Sequence, residues 1–174
     1  MRMDMQKLKT LISEERLKSR IAELAAEISE KERIDVVVGA LTGAFVFVAD
    51  LVRAMASERL DVQFVRASSY GNGTERSSFT VKGIERLDVA GKNVLLVDDI
   101  FDTGHTLQNL SRAIRDCGAA SVKTCALLDK PSRREVDFAA DYIGFRVENI
   151  FVVGYGLDYA EKYRALPEIR CFEE

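Results

Sequence analysis

The segment 97–106, VDDIFDTGHT, concentrates three aspartates, two threonines and a glycine. Thr103, Gly104 and Thr106 stand at the start of a predicted helix, where free backbone N–H groups, hydroxyls and the helix dipole favour a phosphate dianion. Carboxylates beside such an anion repel it unless sugar hydroxyls or Mg²⁺ link the two. The residue types therefore predict a site for a phosphorylated ribose with Mg²⁺.

Each of these residues also has an ordinary structural explanation. Asp98 and Asp99 can end a strand, and Thr106 can cap a helix. For any single residue that explanation is favoured. The combination DDxxDTGxT after a VLLV strand is far more specific than a lone glycine motif, so the functional interpretation is preferred for the set.

Alternating strand and helix patterns place this segment at the edge of a sheet. Uninterrupted apolar runs predict strands at 35–39, 62–65, 94–97 and 122–128. Helical periodicity predicts helices over 13–31, over 44–55 and from 107 to about 118. The pattern predicts an α/β fold with a mainly parallel central sheet flanked by helices, in which ligands bind at the carboxyl ends of the strands.

Composition narrows the class of protein. The chain of 174 residues is expected to form a single domain, 1–174. A net charge of −3 gives no general attraction for nucleic acid, and no apolar run is long enough to span a membrane. The three cysteines have no metal-ligand spacing and the charged first residues lack a signal-peptide core, so we expect a reduced, cytoplasmic protein.

Two polar segments leave this edge of the sheet. Segment 68–79, SSYGNGTERSSF, is almost free of apolar residues; from composition alone, a lid over the site and a disordered hairpin tip are equally plausible. Segment 129–134, DKPSRR, follows the predicted strand 122–128. Both segments are candidates for contact with a ligand.

Four motifs together resemble a known family. The segment 94–107, VLLVDDIFDTGHTL, resembles the phosphoribosyl pyrophosphate (PRPP) signature of type I phosphoribosyltransferases. Three others resemble the hypoxanthine-guanine branch of that family: ASSYGNG (67–73), LLDKPSRR (127–134) and FVVGYGLDYAEKYRALP (151–167). The resemblance extends from Leu11 to Pro167. It implies the type I fold with a small hood built from terminal segments, mainly about 129–174 with the N-terminal segment.

The resemblance also implies an activity. Enzymes of this branch transfer phosphoribose from PRPP to hypoxanthine or guanine with Mg²⁺, giving IMP or GMP and pyrophosphate in purine salvage. The expected partners are therefore PRPP and a 6-oxopurine. The family forms dimers and tetramers, and the apolar helix predicted over 44–55 is a candidate interface.

In the family the paired acids, here Asp98 and Asp99, engage the ribose hydroxyls directly or through Mg²⁺. Many members have Glu at the position of Asp98. Asp102 matches the acid that faces N7 of the purine and exchanges a proton there, which requires a raised or conditional pKa. Loop 103–106 would hold the 5′-phosphate.

The purine contacts implied by the resemblance are Lys130, Phe151, Val152 and Asp158. Lys130 would donate to the 6-oxo group, Phe151 would stack on the ring, and Asp158 would lie near a second Mg²⁺. Without the surrounding motif, Lys130 would be read as a solvated turn lysine and Phe151 as a core residue.

The lid implied by the resemblance contains Ser68, Ser69, Tyr70 and Gly71. A closing lid would keep water from an oxocarbenium-like transition state. This match favours the functional interpretation of segment 68–79.

Pyrophosphate contacts are implied for Leu41, Thr42, Gly43 and Arg164. In the family this loop contains a non-proline cis peptide that exposes backbone N–H groups. Its middle residue is usually Lys or Arg, so Thr42 departs from the pattern and removes a positive charge. Alone, Arg164 would be read as a solvated surface residue.

Two other interpretations remain open on sequence alone. The chain could be a regulator that keeps the fold as a nucleotide sensor and binds RNA or a partner protein, although Asp102 and the intact LLDKPSRR segment argue against this. A phosphorelay receiver is disfavoured because its acids are not followed by a TGxT loop.

Overall fold

A computed structural model describes residues 8–70 and 78–172. The strands are β1 Leu8–Ile12, β2 Val36–Leu41, β3 Asp61–Tyr70, β4 Ser78–Lys82, β5 Asn93–Phe101, β6 Ser121–Asp129, β7 Tyr142–Arg146, β8 Val152–Val153 and β9 Ile169–Phe172. The helices are α1 Glu14–Lys31, α2 Phe45–Met55 and α3 His105–Asp116. Within these ranges, no helix is both long enough and apolar enough to cross a bilayer.

The central sheet has six strands in the order β4-β3-β2-β5-β6-β7. All neighbours are parallel except β3 and β4, which pair antiparallel at one edge. Alternate residues face opposite sides: Val37 and Leu95 pack into one core, Val36 and Leu96 into the other. Burial on both faces explains why these strands are continuous apolar runs.

Helices α1 and α2 cover one face of this sheet. The Ser13 hydroxyl caps α1 by accepting from the Arg16 N–H at 3.4 Å, and Glu14 and Glu15 lie in its first turn. The buried stripe of α1 is the one that the sequence predicts: Leu17, Ile21, Leu24, Ala25 and Ile28.

Helix α3 covers the opposite face with Leu107, Leu110 and Ile114, the residues predicted from its periodicity. Its N-cap is Gly104, whose φ of 94° lies in the left-handed region. A Cβ at this position would approach Val136 Cγ2 to 2.5 Å, so both conformation and space require glycine.

Two strands extend further than the sequence predicted. Strand β5 continues to Phe101, so Asp98 and Asp99 lie inside the paired strand rather than in a loop after it. Strand β3 continues to Tyr70 and pairs with β4 as far as Tyr70↔Ser78. The ends of segment 68–79 are therefore a hairpin, and the predicted loop was too long at both ends.

A second, three-stranded antiparallel sheet has the order β1-β9-β8. It joins a strand near the N-terminus to two strands beyond residue 150. Sequence periodicity did not identify these strands or β7, because β8 has only two residues and polar residues or glycine interrupt the apolar runs of the others. This sheet packs against the core on the α1 side through Ile12, Val152 and Ile169.

Candidate functional site

The acidic pair Asp98–Asp99 lies near the carboxyl end of β5, in the middle of the sheet. Asp98 Oδ1 accepts a hydrogen bond from the Asp99 N–H at 3.0 Å, and Asp99 Oδ1 accepts from the Ile100 N–H at 2.9 Å. Burial raises the pKa of the Asp98 carboxyl well above its usual range, and the neighbouring charge of Asp99 raises it further. Burial also raises the pKa of Asp99. A cation or a set of hydroxyl donors would stabilise this pair.

The 41–43 loop at the end of β2 packs directly against the acidic pair. The Leu41–Thr42 peptide bond is cis, as the resemblance implies. A Cβ on Gly43 would lie 1.6 Å from Asp99 Oδ2, so only glycine permits this approach. Gly156, with a φ of 95°, covers the loop from the other side. A Cβ added at Gly156 would lie 2.2 Å from the Gly43 carbonyl oxygen. Gly43 is thus packed between Asp99 on one side and Gly156 on the other.

These elements enclose a cleft of about 370 Å³, which we call the acidic compartment. It is lined by residues from the ends of β2 and β5, from the middle of β3, from the first turn of α3 and from the segment after β8: Ala40, Leu41, Thr42, Gly43, Arg66, Ala67, Asp98, Asp99, Thr106, Asp158, Glu161 and Arg164. Asp98, Asp99 and Asp158 share this lining. Among the described residues, however, no three acidic, histidine or cysteine side chains converge as a ready metal site.

Two arginines face the acidic compartment. Arg164 is held by the chain itself: Nη1 donates to the Gly156 carbonyl at 2.8 Å, and Nη2 lies 2.9 Å from Asp158 Oδ1 and 3.0 Å from Glu161 Oε2. Arg66, in the middle of β3 and opposite the last residue of β2, donates from Nη2 to Thr42 Oγ1 at 3.1 Å. Sequence reasoning identified Arg164 but missed Arg66. The loss of charge at Thr42 was the signal that could have prompted a search for a nearby cation.

A second cleft of about 570 Å³ adjoins the first, and we call it the aromatic compartment. Its lining comes from the ends of β5 and β6 and from residues around β8: Asp99, Ile100, Asp102, Lys130, Arg133, Asn149, Ile150, Phe151, Val152, Leu157 and Asp158. Asp99 and Asp158 line both compartments. A ligand that spans both would pass these two carboxylates.

Asp102 follows β5 and points into the aromatic compartment. Arg133 Nε donates to its Oδ1 at 3.0 Å. Arg134 holds the same loop by donating to the Asp102 carbonyl and to the buried Asp129 carboxylate. The Arg134 guanidinium also stacks 3.1 Å from the centre of the Phe101 ring. These two arginines, which sequence reasoning did not single out, fix the position of Asp102.

Lys130 is buried, not solvated as its isolated sequence context suggested. Its Nζ donates to the Ile150 carbonyl at 2.8 Å. Burial lowers the pKa of this ammonium group. The Lys130 ammonium group is therefore a hydrogen-bond donor held in a fixed position in the wall of the aromatic compartment.

Phe151 is 47% exposed, which is unusual for a large apolar side chain. Its ring packs edge-on against Tyr159 at 5.7 Å and lies 5.9 Å from Phe172. Val152, in β8, is buried behind it. The arrangement leaves an aromatic surface open to a planar ligand.

The remaining predicted residues are not part of the lining given for either cleft. Thr103 and Gly104 precede α3, and no side chain caps the first N–H groups of that helix at Gly104. Ser68, Ser69 and Tyr70 form the end of β3. Gly71 lies outside the described residues, as does most of segment 68–79.

A mainly parallel sheet with two adjoining clefts at its carboxyl edge defines an α/β ligand-binding protein. More specifically, the chain belongs to the phosphoribosyltransferase family, because the family model described as "Phosphoribosyl transferase domain" matches residues 9–160.

Sequence relatives and a solved structure support this membership. The chain is 49% identical over 173 residues to a hypoxanthine-guanine phosphoribosyltransferase of Aquifex aeolicus, covering 97% of this chain and 96% of the relative. It is 44% identical over 168 residues to the hypoxanthine phosphoribosyltransferase of Escherichia coli, covering 93% of each. The crystal structure of a hypoxanthine-guanine phosphoribosyltransferase from Bacillus anthracis matches with a TM-score of 0.84 at 42% identity, covering 95% of this chain and 98% of that one.

Proposed function

We propose that the protein transfers the 5-phosphoribosyl group from PRPP to a 6-oxopurine, hypoxanthine or guanine, giving IMP or GMP and pyrophosphate in purine salvage. The observation that carries this proposal is the pair of adjoining clefts, which differ in chemistry and meet at Asp99 and Asp158. A ribose bearing a 5-phosphate and a pyrophosphate suits the first cleft, and a planar base suits the second. The relatives at 44–49% identity bear the names of enzymes with this activity.

Within this reaction, we assign Asp102 as the catalytic acid–base group. As purine N9 forms its bond to the anomeric carbon, the bond from that carbon to pyrophosphate breaks, and the N7 proton passes to the Asp102 carboxylate. The position of Asp102 in the aromatic compartment supports this role. Arg133 keeps the carboxylate oriented until the base arrives.

We assign the ribose and its phosphates to the acidic compartment. Asp98 and Asp99 accept from the ribose hydroxyls, and loop 103–106 binds the 5′-phosphate through its N–H groups and hydroxyls. Leu41, Thr42 and Gly43 bind pyrophosphate, with Arg164 nearby. The uncapped first turn of α3 supports the phosphate assignment.

The family implies a metal-assisted reaction of PRPP, and we propose two Mg²⁺ ions, one that Asp98 and Asp99 would hold together with the ribose hydroxyls and a second near Asp158. Buried paired carboxylates fit a hard dication. The lack of three converging ligands among the described residues also fits, since Mg²⁺ commonly takes one or two carboxylates and completes its shell with substrate phosphates and water. When bound, these ions would neutralise the leaving pyrophosphate.

Base selectivity would come from Lys130 and the aromatic surface. Lys130 donates to the 6-oxo group, whereas adenine would present an amino donor to the same ammonium group. Phe151 stacks on the base, and the Val152 backbone reads its edge. The buried position of Lys130 supports a strong penalty for adenine, because an unpaired donor there is not solvated by bulk water.

The organisation of the chain fits this scheme. We propose that 1–174 is one phosphoribosyltransferase domain, with a purine-binding hood mainly from about 129–174 with the N-terminal segment. The small sheet β1-β9-β8 supports this hood. Segment 68–79, including Ser68, Ser69, Tyr70 and Gly71, would serve as the lid that excludes water during transfer.

We also propose a cytoplasmic homodimer or homotetramer that associates through the apolar helix 44–55. Phe45 in this helix and Phe64 beside it are each 40% exposed, which supports burial by a second copy. Sedimentation equilibrium tests the assembly: a single species of monomer mass would contradict it. The three free thiols support a reducing location, and we expect no nucleic-acid partner.

The activity is tested with purified protein, PRPP and Mg²⁺ against hypoxanthine, guanine, xanthine and adenine, followed by ultraviolet absorbance. We expect turnover with hypoxanthine or guanine and none with adenine. No turnover with any 6-oxopurine would overturn the proposal. Tight, salt-sensitive RNA binding without turnover would instead favour the regulator considered above.

A further inference from the structure

The acidic compartment has an unexpected deficit of positive charge. Its lining contains four acidic side chains, Asp98, Asp99, Asp158 and Glu161, and the loop residue that the family usually fills with Lys or Arg is Thr42. Of the two arginines in the lining, Arg164 already binds Asp158 and Glu161. Any Mg²⁺ bound there would first offset these carboxylates, so a polyanionic ligand still needs a protein cation to take the place of the missing loop charge.

Arg66 is in the right place to be that cation. In the parallel pairing of β2 with β3, Arg66 lies directly opposite Leu41, the first residue of the 41–43 loop. Its guanidinium reaches across to Thr42 and donates to Oγ1 at 3.1 Å. None of the ion pairs formed within the ranges 8–70 and 78–172 includes Arg66. Arg66 thus brings a charge to the loop that lacks one.

We propose that Arg66 binds the pyrophosphate group of PRPP in place of the missing loop cation, an inference that rests on the function proposed above. The planar guanidinium can donate to two phosphate oxygens at once while one N–H remains on Thr42. Because Thr42 Oγ1 accepts from Arg66, its own hydroxyl hydrogen is free to donate to the same anion. Arg66 and Thr42 together replace the single lysine or arginine of relatives.

The direct test is calorimetric binding of inorganic pyrophosphate in the presence of Mg²⁺, which needs no turnover. We expect Arg66→Thr to raise the Kd for pyrophosphate about 10- to 100-fold, the range for losing one charge-assisted hydrogen bond. Arg66→Lys should raise the Kd less than Arg66→Thr does, because lysine keeps the positive charge but lacks the paired N–H donors of the guanidinium. Arg86→Ala, which removes an arginine whose side chain is 87% exposed in an ion pair with Glu85, is the control and should match wild type.

Steady-state kinetics separate binding from structural damage. In Arg66→Thr, KM for PRPP should rise in parallel with the Kd for pyrophosphate, while KM for hypoxanthine stays within about 2-fold, since the base lies in the other compartment. An unchanged Kd for pyrophosphate, or an equal loss in Arg66→Lys and Arg66→Thr, would overturn the proposal.

A charge swap tests whether Arg66 substitutes for the loop cation. Adding Thr42→Arg to Arg66→Thr returns the charge to the family's usual position, and we expect the Kd for pyrophosphate to recover to within about 3-fold of wild type. No recovery would refute the substitution of one cation by the other. If the wild-type protein neither turned over a 6-oxopurine nor bound pyrophosphate, the proposed function would fail instead, and the wild-type assays of turnover and of pyrophosphate binding distinguish this case.

Discussion

Asp102 is the residue on which the proposed chemistry depends most. We expect Asp102→Ala to lower kcat about 10²- to 10⁴-fold, the usual contribution of a general acid or base. KM for PRPP should change little, because we propose that PRPP binds in the acidic compartment. Initial rates at saturating substrates measure this. Asp116→Asn, an exposed acid at the end of α3, is the control. Wild-type kcat in the Asp102 variant would refute the assignment.

Lys130 gives the reaction a pH dependence. Burial lowers its pKa below the ordinary value for lysine, so the ammonium form, which we propose donates to the 6-oxo group, is lost as pH rises through that lowered pKa. We therefore expect KM for hypoxanthine to rise in alkaline buffer at a pH where an exposed lysine would still be charged.

The matched control for this effect is Lys130→Arg, because arginine stays protonated throughout. Its KM profile should reflect only ionisation of the purine, and the difference between the two profiles reports Lys130. Superimposable profiles would show that Lys130 does not titrate in this range.

Motif residues of the site could be predicted from the sequence, but their partners could not. Asp102 and Lys130 stand in recognisable segments, whereas Arg66 and Arg133 act through contacts between distant strands and loops. Lys130 donates to the backbone carbonyl of Ile150, and because every residue has such a carbonyl, residue type cannot reveal this partner. Backbone partners and cross-strand neighbours are set by the tertiary register, which a single sequence does not display.

At the scale of elements, α1 was predicted closely because its signals agree. A serine cap, two acidic residues in the first turn and a five-residue apolar stripe all indicate the same helix. Strand β5 was predicted too short, because Asp98 and Asp99 interrupt its apolar run although their backbone remains paired. The two-residue strand β8 lies below the length at which periodicity can be recognised.

Helix α1 also provides a stability test. Leu24 is fully buried between α1 and the sheet, so Leu24→Ala should lower the free energy of unfolding by about 2–5 kcal/mol through lost contacts and a residual cavity. Urea denaturation measures the change. Glu30→Ala on the exposed side of α1 should stay within about 0.5 kcal/mol of wild type, and an equal loss in both variants would contradict the packing described.

For the whole molecule, thiol accessibility reports the integrity of the core under α1 and α2, which contains both buried cysteines. Cys125 and Cys171 are buried, burial raises the pKa of the Cys125 thiol to about 12, and only Cys117 is partly exposed. We expect one thiol per chain to react rapidly with a disulfide reagent in native buffer and all three after denaturation. Cys117→Ser should remove the rapid phase. Two rapid thiols would indicate that one core is open in solution.

The contact among residues 43, 99 and 156 has a genetic consequence. A methyl group at position 43 would collide with the Asp99 carboxylate at 1.6 Å, and the loop cannot retreat because Gly156 lies against its other side, where an added Cβ would be 2.2 Å from the Gly43 carbonyl oxygen. Shortening Asp99 would make room only by removing an acid of the site. Selection for revertants of Gly43→Ala should therefore return glycine at 43 and no second-site suppressor. Positions 43, 99 and 156, which are far apart in the chain, therefore cannot be substituted independently of one another.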